Sequence, residues 1–199
     1  MPGSGVVKNV RIRSAIMSKS VLEEYIDLDT AKELCLDCDN YNSNWSCPPF
    51  VLDLDENYQY AVVIAGSMSI SGLIDENEVS IDEAMTTIFF ERREEFTQWL
   101  LEFETLFPGI RSVAAGVCKN CDVCARTNKM NCRHPDRVRP SLEALGFNIQ
   151  ELTKRELSLD TGWPAGGGLP EDMTAVGALL IRDKETLKQI AHIMRPLEV

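Results

Sequence analysis

All seven cysteines of this chain fall into two short stretches, and that bunching constrains the chain more than any other feature. Cys35, Cys38 and Cys47 make up the first group; Cys118, Cys121, Cys124 and Cys132 make up the second. An odd count cannot pair completely into disulfides, and staples would be spread along the sequence. The opening residues, Met1-Pro2-Gly3-Ser4-Gly5, lack the basic-then-apolar pattern of a secretory signal. Clustered thiols without such a signal point to metal ligation in a reducing, cytoplasmic compartment.

The second group is the more informative. Cys118-x2-Cys121-x2-Cys124, with Cys132 after seven more residues, resembles the cysteine run of cubane-binding ferredoxins. Thiolates spaced by two residues can wrap a compact loop around one [4Fe-4S] cluster and meet three of its corners. A single tetrahedral zinc ion prefers two separated CxxC knuckles, because a third cysteine so close is hard to orient without strain. Ferredoxins place only three residues before their fourth cysteine, which serves a neighbouring cluster. Cys132 therefore either closes this cluster or reaches across to the other group.

The first group, Cys35-x2-Cys38 and then Cys47-Pro48-Pro49, offers three thiolates, one short of a full set. If they hold a cubane, one iron lacks a protein thiolate and is left for His134, a carboxylate, a hydroxyl or an exogenous ligand. Zinc is the rival, since seven cysteines plus His134 supply the eight donors of two tetrahedral sites. The expected cofactor is thus one or two [4Fe-4S] clusters, with zinc as the alternative.

Charge narrows the partners. The net charge of −11 argues against nucleic acid, whose phosphates need a cationic face. No apolar run has the length to cross a bilayer. Against this acidic background Lys119, Arg126, Lys129, Arg133, Arg137 and Arg139 crowd into the second cysteine stretch. Such a patch stabilises an anionic metal–thiolate centre, and it also suits a redox partner protein or a small anionic ligand.

Apolar periodicity predicts an α/β (α+β) fold, a small sheet with helices packed on it and cysteine-rich metal-binding loops. Residues 1–8 read as a flexible N-terminus and 9–199 as a single metal-binding domain. Strands are expected at Tyr60–Ala65, Val113–Val117 and Thr174–Ile181. Thr30 with Glu33, Ser80 with Glu83, and Asn148 with Glu151 stand at capping-box spacing. Between Met85 and Leu106 an aromatic stripe at helical spacing is read as core, and Ser141–Leu145 as a short helix closed by Gly146. Asp183 caps a last helix, on which His192 is read as structural. Thr161–Pro170, with three glycines, is a connection that lacks the lysine of a phosphate loop.

These residues also carry a resemblance. Cys35-x2-Cys38, Tyr41, Trp45-Ser46-Cys47-Pro48-Pro49, the Cys118–Cys124 run, Cys132-Arg133-His134-Pro135 and Arg139-Pro140-Ser141-Leu142-Glu143-Ala144-Leu145-Gly146 resemble the family called domain of unknown function 2284. The likeness implies that all seven cysteines are candidate metal ligands and that the setting is anaerobic cytoplasm. It implies no reaction. One departure is Asn42, where the likeness leads to a small, glycine-like residue.

With no nucleophile elbow, HExxH, phosphate loop or dinucleotide fingerprint in the chain, three functions stand. One is an iron–sulfur protein for electron transfer or cluster-based redox chemistry. The second is an enzyme using the open iron of a three-cysteine cluster. The third is a zinc-stabilised interaction module.

Overall fold

A run of apolar residues long enough to be a strand, and apolar on both faces, must be covered on both. Tyr60-Ala61-Val62-Val63-Ile64-Ala65 is such a run, and in the computed structural model it opens strand β2 (Tyr60–Ser69), buried from Ala61 to Met68. The structure describes residues 9–49, 57–161 and 169–197. The expected N-terminal tail of residues 1–8 and most of the Thr161–Pro170 connection lie outside them.

β2 pairs antiparallel with β1 (Arg11–Ser18) on one side and with β4 (Asp172–Ile181) on the other. β3 (Ile110–Val113) adds to the far edge of β4, so the order is β1-β2-β4-β3 and every pairing is antiparallel. Helices α1 (Lys19–Glu23), α2 (Leu28–Leu36), α3 (Ile70–Asn77), α4 (Ile81–Glu83), α5 (Phe89–Leu106), α6 (Ile149–Glu156) and α7 (Lys184–Met194) complete the mixed α+β architecture. None of them is long and apolar enough to cross a membrane, among the described residues.

Strand alternation sorts the core into two layers. Val62, Ile64, Leu179 and Ile181 meet the aromatic stripe of α5 (Phe96, Trp99, Leu100 and Phe103), with Ile190 and Met194 of α7 beside them. Val63, Ala65, Ala178 and Leu180 face the other way, onto Leu22, Leu142, Phe147 and Leu152. The stripe is therefore core, as its spacing predicts. Its helix begins at Ser80, whose hydroxyl accepts the Glu83 N–H, and runs through a π-turn at Ala84–Ile88. Asn148 and Asp183 cap α6 and α7 as expected.

Four local readings change. β1 was not foreseen: it is an edge strand in which Ile16 stays half exposed, so its apolar signal is weak. α2 is capped by Asp27, whose carboxylate accepts the Thr30 N–H, and Thr30 lies inside the helix. The strand expected over Val113–Val117 ends at Val113, where its pairing with β4 stops and Ala114 turns to bond the Pro140 carbonyl and bridge Ser141. Gly116 beyond it takes a φ of +91° that a strand does not allow. Ser141–Leu145 is a hydrogen-bonded turn, in which the Leu145 and Gly146 N–H groups reach back to the Ser141 and Glu143 carbonyls. Gly146 closes it at a φ of +93°.

Candidate metal centre

Both cysteine groups sit at one end of the fold, where chain leaves α2 and β3. Cys35 rides the last turn of α2, and the Cys38 N–H donates to its carbonyl at 3.1 Å. A tight loop follows, closed by the Asn42 N–H on the Pro48 carbonyl at 2.8 Å; the Pro48–Pro49 peptide is cis. Asn42 itself has a φ of +54°, in the left-handed region that glycine and asparagine tolerate best. That explains the glycine-like expectation and why asparagine satisfies it.

The second loop is laid along α5. Thr97 Oγ1 accepts the Ala115 N–H at 3.2 Å, and the Ala114 N–H donates to the Pro140 carbonyl at 2.9 Å. Chain then turns at Gly116 into Cys118. A short 3₁₀ turn over Ala125–Asn128 separates the run from Cys132.

The structure brings together the cysteines that the spacing groups. Cys118, Cys121, Cys124 and Cys132 line one narrow cavity, so Cys132 stands with its own run. His134 lines that same cavity and its backbone N–H donates to Cys132 Sγ at 3.4 Å. It does not line the three-cysteine cavity, where a fourth ligand was sought. Cys35, Cys38 and Cys47 line a second, wider cavity of about 280 Å³, together with Phe90, Arg93 and Glu143.

All seven cysteines are free thiols. Burial pushes the thiols of Cys118, Cys47 and Cys35 above the ordinary range, and neighbouring cysteines add to it at each. Such thiols give up their protons readily only to a cation, which supplies the missing charge. No three His, Cys, Asp or Glu side chains among the described residues converge closely enough to hold a single ion.

Two short side chains lock the loops together. Ser46 is buried; its hydroxyl accepts the Cys118 N–H at 3.0 Å, donates to Asn44 Oδ1 and lies 3.7 Å from Cys47 Sγ. Asn44 in turn donates to the Cys118 carbonyl at 3.1 Å. Trp45 Nε1 donates to the Met130 carbonyl, and the Arg126 guanidinium lies over its ring.

The basic patch is only partly a patch. Arg139 is buried and forms a forked ion pair with Glu104 of α5, while also donating to the Asp136 and Val138 carbonyls. Arg126 donates to Asn42 Oδ1 and Arg133 to the Val123 carbonyl. Lys119, Lys129 and Arg137 stand exposed.

Arg93 was missed. The sequence places it in a charged stretch, Glu91 to Glu95, that fills most of the gap in the stripe of α5. Yet its guanidinium packs 4.5 Å from the Phe90 ring centroid and presses on Gly116, where a Cβ would meet it at 2.8 Å. The available signal was Phe90, Arg93 and Thr97 on one side of the helix, three and four residues apart.

Comparison with curated proteins and with solved structures finds no match. The model of a family described as "Predicted metal-binding protein (DUF2284)" matches residues 23–181, a span that holds every cysteine and both loops. The chain belongs to that family of predicted metal-binding proteins.

Proposed function

We propose that this is an iron–sulfur protein with two adjacent cluster sites, one saturated by cysteine and one left open. The observation that carries it is the sorting of seven thiols, four into one cavity and three into its neighbour. A single tetrahedral zinc needs donors about 2.3 Å from one point, whereas a polynuclear group needs thiolates spread around it. Thiols distributed around the walls of two cavities suit the larger group.

Cys118, Cys121, Cys124 and Cys132 would hold the first cluster, and Cys35, Cys38 and Cys47 the second. Bound there, iron–sulfur clusters supply one-electron transfer and, at an iron without a thiolate, a Lewis-acid position. The chain's own part is to orient and insulate. Asn44 and Ser46 hold the Cys118 backbone, and Ser46 also joins it to Cys47, giving a short bonded path between the two sites. Lys119, Lys129 and Arg137 offer exposed positive charge on an acidic protein, which suits transient docking of an acidic redox partner. An exposed thiol in a cluster site, such as Cys38, would need a reducing setting to persist, which an anaerobic cytoplasm supplies.

The test is iron and acid-labile sulfide content of protein purified without oxygen, with visible spectra before and after dithionite. Matching iron and sulfide and a brown colour bleached by reductant are expected. Stoichiometric zinc, without sulfide or colour, would overturn the reading in favour of a zinc-stabilised module.

A further inference from the structure

We infer that the cavity beside Cys35, Cys38 and Cys47 is a binding site for a short-chain carboxylate, anchored by the guanidinium of Arg93. The inference rests on the reading of those cysteines as an open three-thiolate site, and it names the class of ligand that site receives.

The first ground is an unspent cation. Arg93 sits on α5 facing the cavity, and among the described residues it finds no hydrogen-bond or ion-pair partner. Its neighbours are the Phe90 ring, the backbone of Gly116, and the carboxylates of Glu143 and Glu94 acting through space. Burial pulls its pKa down, and Glu143 and then Glu94 pull it back up. A guanidinium stays charged regardless, and the donors of this half-buried one face the cavity with no hydrogen-bonded acceptor among the described residues. Surface arginines on the same chain find carboxylates: Arg92 reaches Glu95, and Arg11 reaches Asp172.

The second ground is shape. Phe90, Val117, Ala144 and Pro48 give the cavity apolar walls, and its volume of about 280 Å³ admits a chain of a few carbons. Planar guanidinium and planar carboxylate match two N–H donors to two oxygens. Charge then separates the oxyanions. Glu143 and three thiols line the same space, an environment hostile to a doubly charged phosphate and tolerable for a monoanion. Because the thiols and Arg93 share one cavity, a carboxylate held by Arg93 lies beside whatever those thiols bind.

Gly116 is what makes the arrangement available. Its φ of +91° and missing side chain let the guanidinium lie on the backbone two residues before Cys118. The same residue thus turns chain into the four-cysteine loop and seats the arginine of the three-cysteine cavity.

The test is calorimetric titration of anaerobically purified protein with butyrate and, separately, with inorganic phosphate. Saturable butyrate heat is expected, with phosphate weaker. Arg93→Gln should weaken butyrate about ten- to a hundredfold, the loss of a charge-assisted forked pair. Glu143→Gln should tighten it, because a competing carboxylate is gone; that opposite sign separates lost recognition from lost folding. No saturable heat in the wild type, equal affinity in Arg93→Gln, or tighter phosphate binding would overturn the carboxylate site whatever the metal content. Iron and sulfide measured on the same samples report independently on the cluster reading, which fails if both are missing.

Discussion

Asn44 donates its side-chain amide to the carbonyl of Cys118 at 3.1 Å, across 74 positions of sequence. Ser46 takes the N–H of the same residue at 3.0 Å, so the first thiol of the four-cysteine run is held by both ends of its backbone from the other loop. The two candidate metal sites are therefore one mechanical unit.

Removing the Ser46 hydroxyl leaves the part-buried Cys118 N–H without its acceptor, which costs about 1–3 kcal/mol, while Asn44 Oδ1 keeps the Ser46 backbone N–H. Ser46→Ala should lower the melting temperature by several degrees and reduce iron per chain. Asn44→Ala should do the same, and the double variant should fall short of the sum because both act on one group. A Ser46→Ala protein with wild-type melting and metal content would show that the clamp does not support the site.

Asn42 offers a test of backbone conformation. At a φ of +54°, Asn42→Gly keeps the geometry and loses only the acceptor for Arg126. Asn42→Val adds a β-branched side chain in the left-handed region and should cost about 1–2 kcal/mol or more. Thermal melts of the two variants should separate in that order; identical melts would contradict the strain argument.

The pair Glu104–Arg139 ties the second loop to α5 and predicts an acid limit to stability. Burial opposes ionisation of Glu104, but hydrogen bonds from Arg139 and the Ser112 N–H outweigh it and hold its carboxyl below the ordinary value of 4.5. A group lowered on folding stabilises above its unfolded pKa. That stability is fully present above about pH 4.5 to 5 and is lost as pH falls through the lower folded value. Glu104→Gln should flatten this part of the pH–stability curve. Arg139→Ala should cost about 1–3 kcal/mol at neutral pH, since it leaves a half-buried carboxylate with the Ser112 N–H alone. An unchanged acid limb in Glu104→Gln would assign the acid sensitivity to other carboxylates.

Serine substitutions can count the sites. Cys124→Ser should remove iron from the four-thiol cavity and leave the three-thiol one loaded; Cys47→Ser should do the reverse and keep reversible bleaching by dithionite. Loss of all iron from either single variant would mean one shared site in place of two.

Legibility followed the range of the interaction. The central strands were readable as unbroken apolar runs and the aromatic stripe of α5 as a local helical period, both signals carried by neighbouring residues. The caps at Ser80, Asn148 and Asp183 were readable because a cap acts over three residues. β1 was not, since an edge strand buries little, and Arg139 looked like surface charge because its partner Glu104 is 35 positions away.

By itself the sequence determined which residues are the candidate ligands: seven cysteines at short spacing, split into groups of four and three, leave few chemistries open. It also determined a mixed α+β core, through local periodicity. Tertiary structure alone decided that the two groups are neighbours, that His134 and Cys132 stand with the four-thiol run, and that Arg93 faces the three-thiol cavity. The physical reason is that spacing sets which thiols share a loop. Which loops meet depends on long-range contacts, here Asn44 and Ser46 on Cys118 and Arg93 on Gly116, that leave no period in the chain.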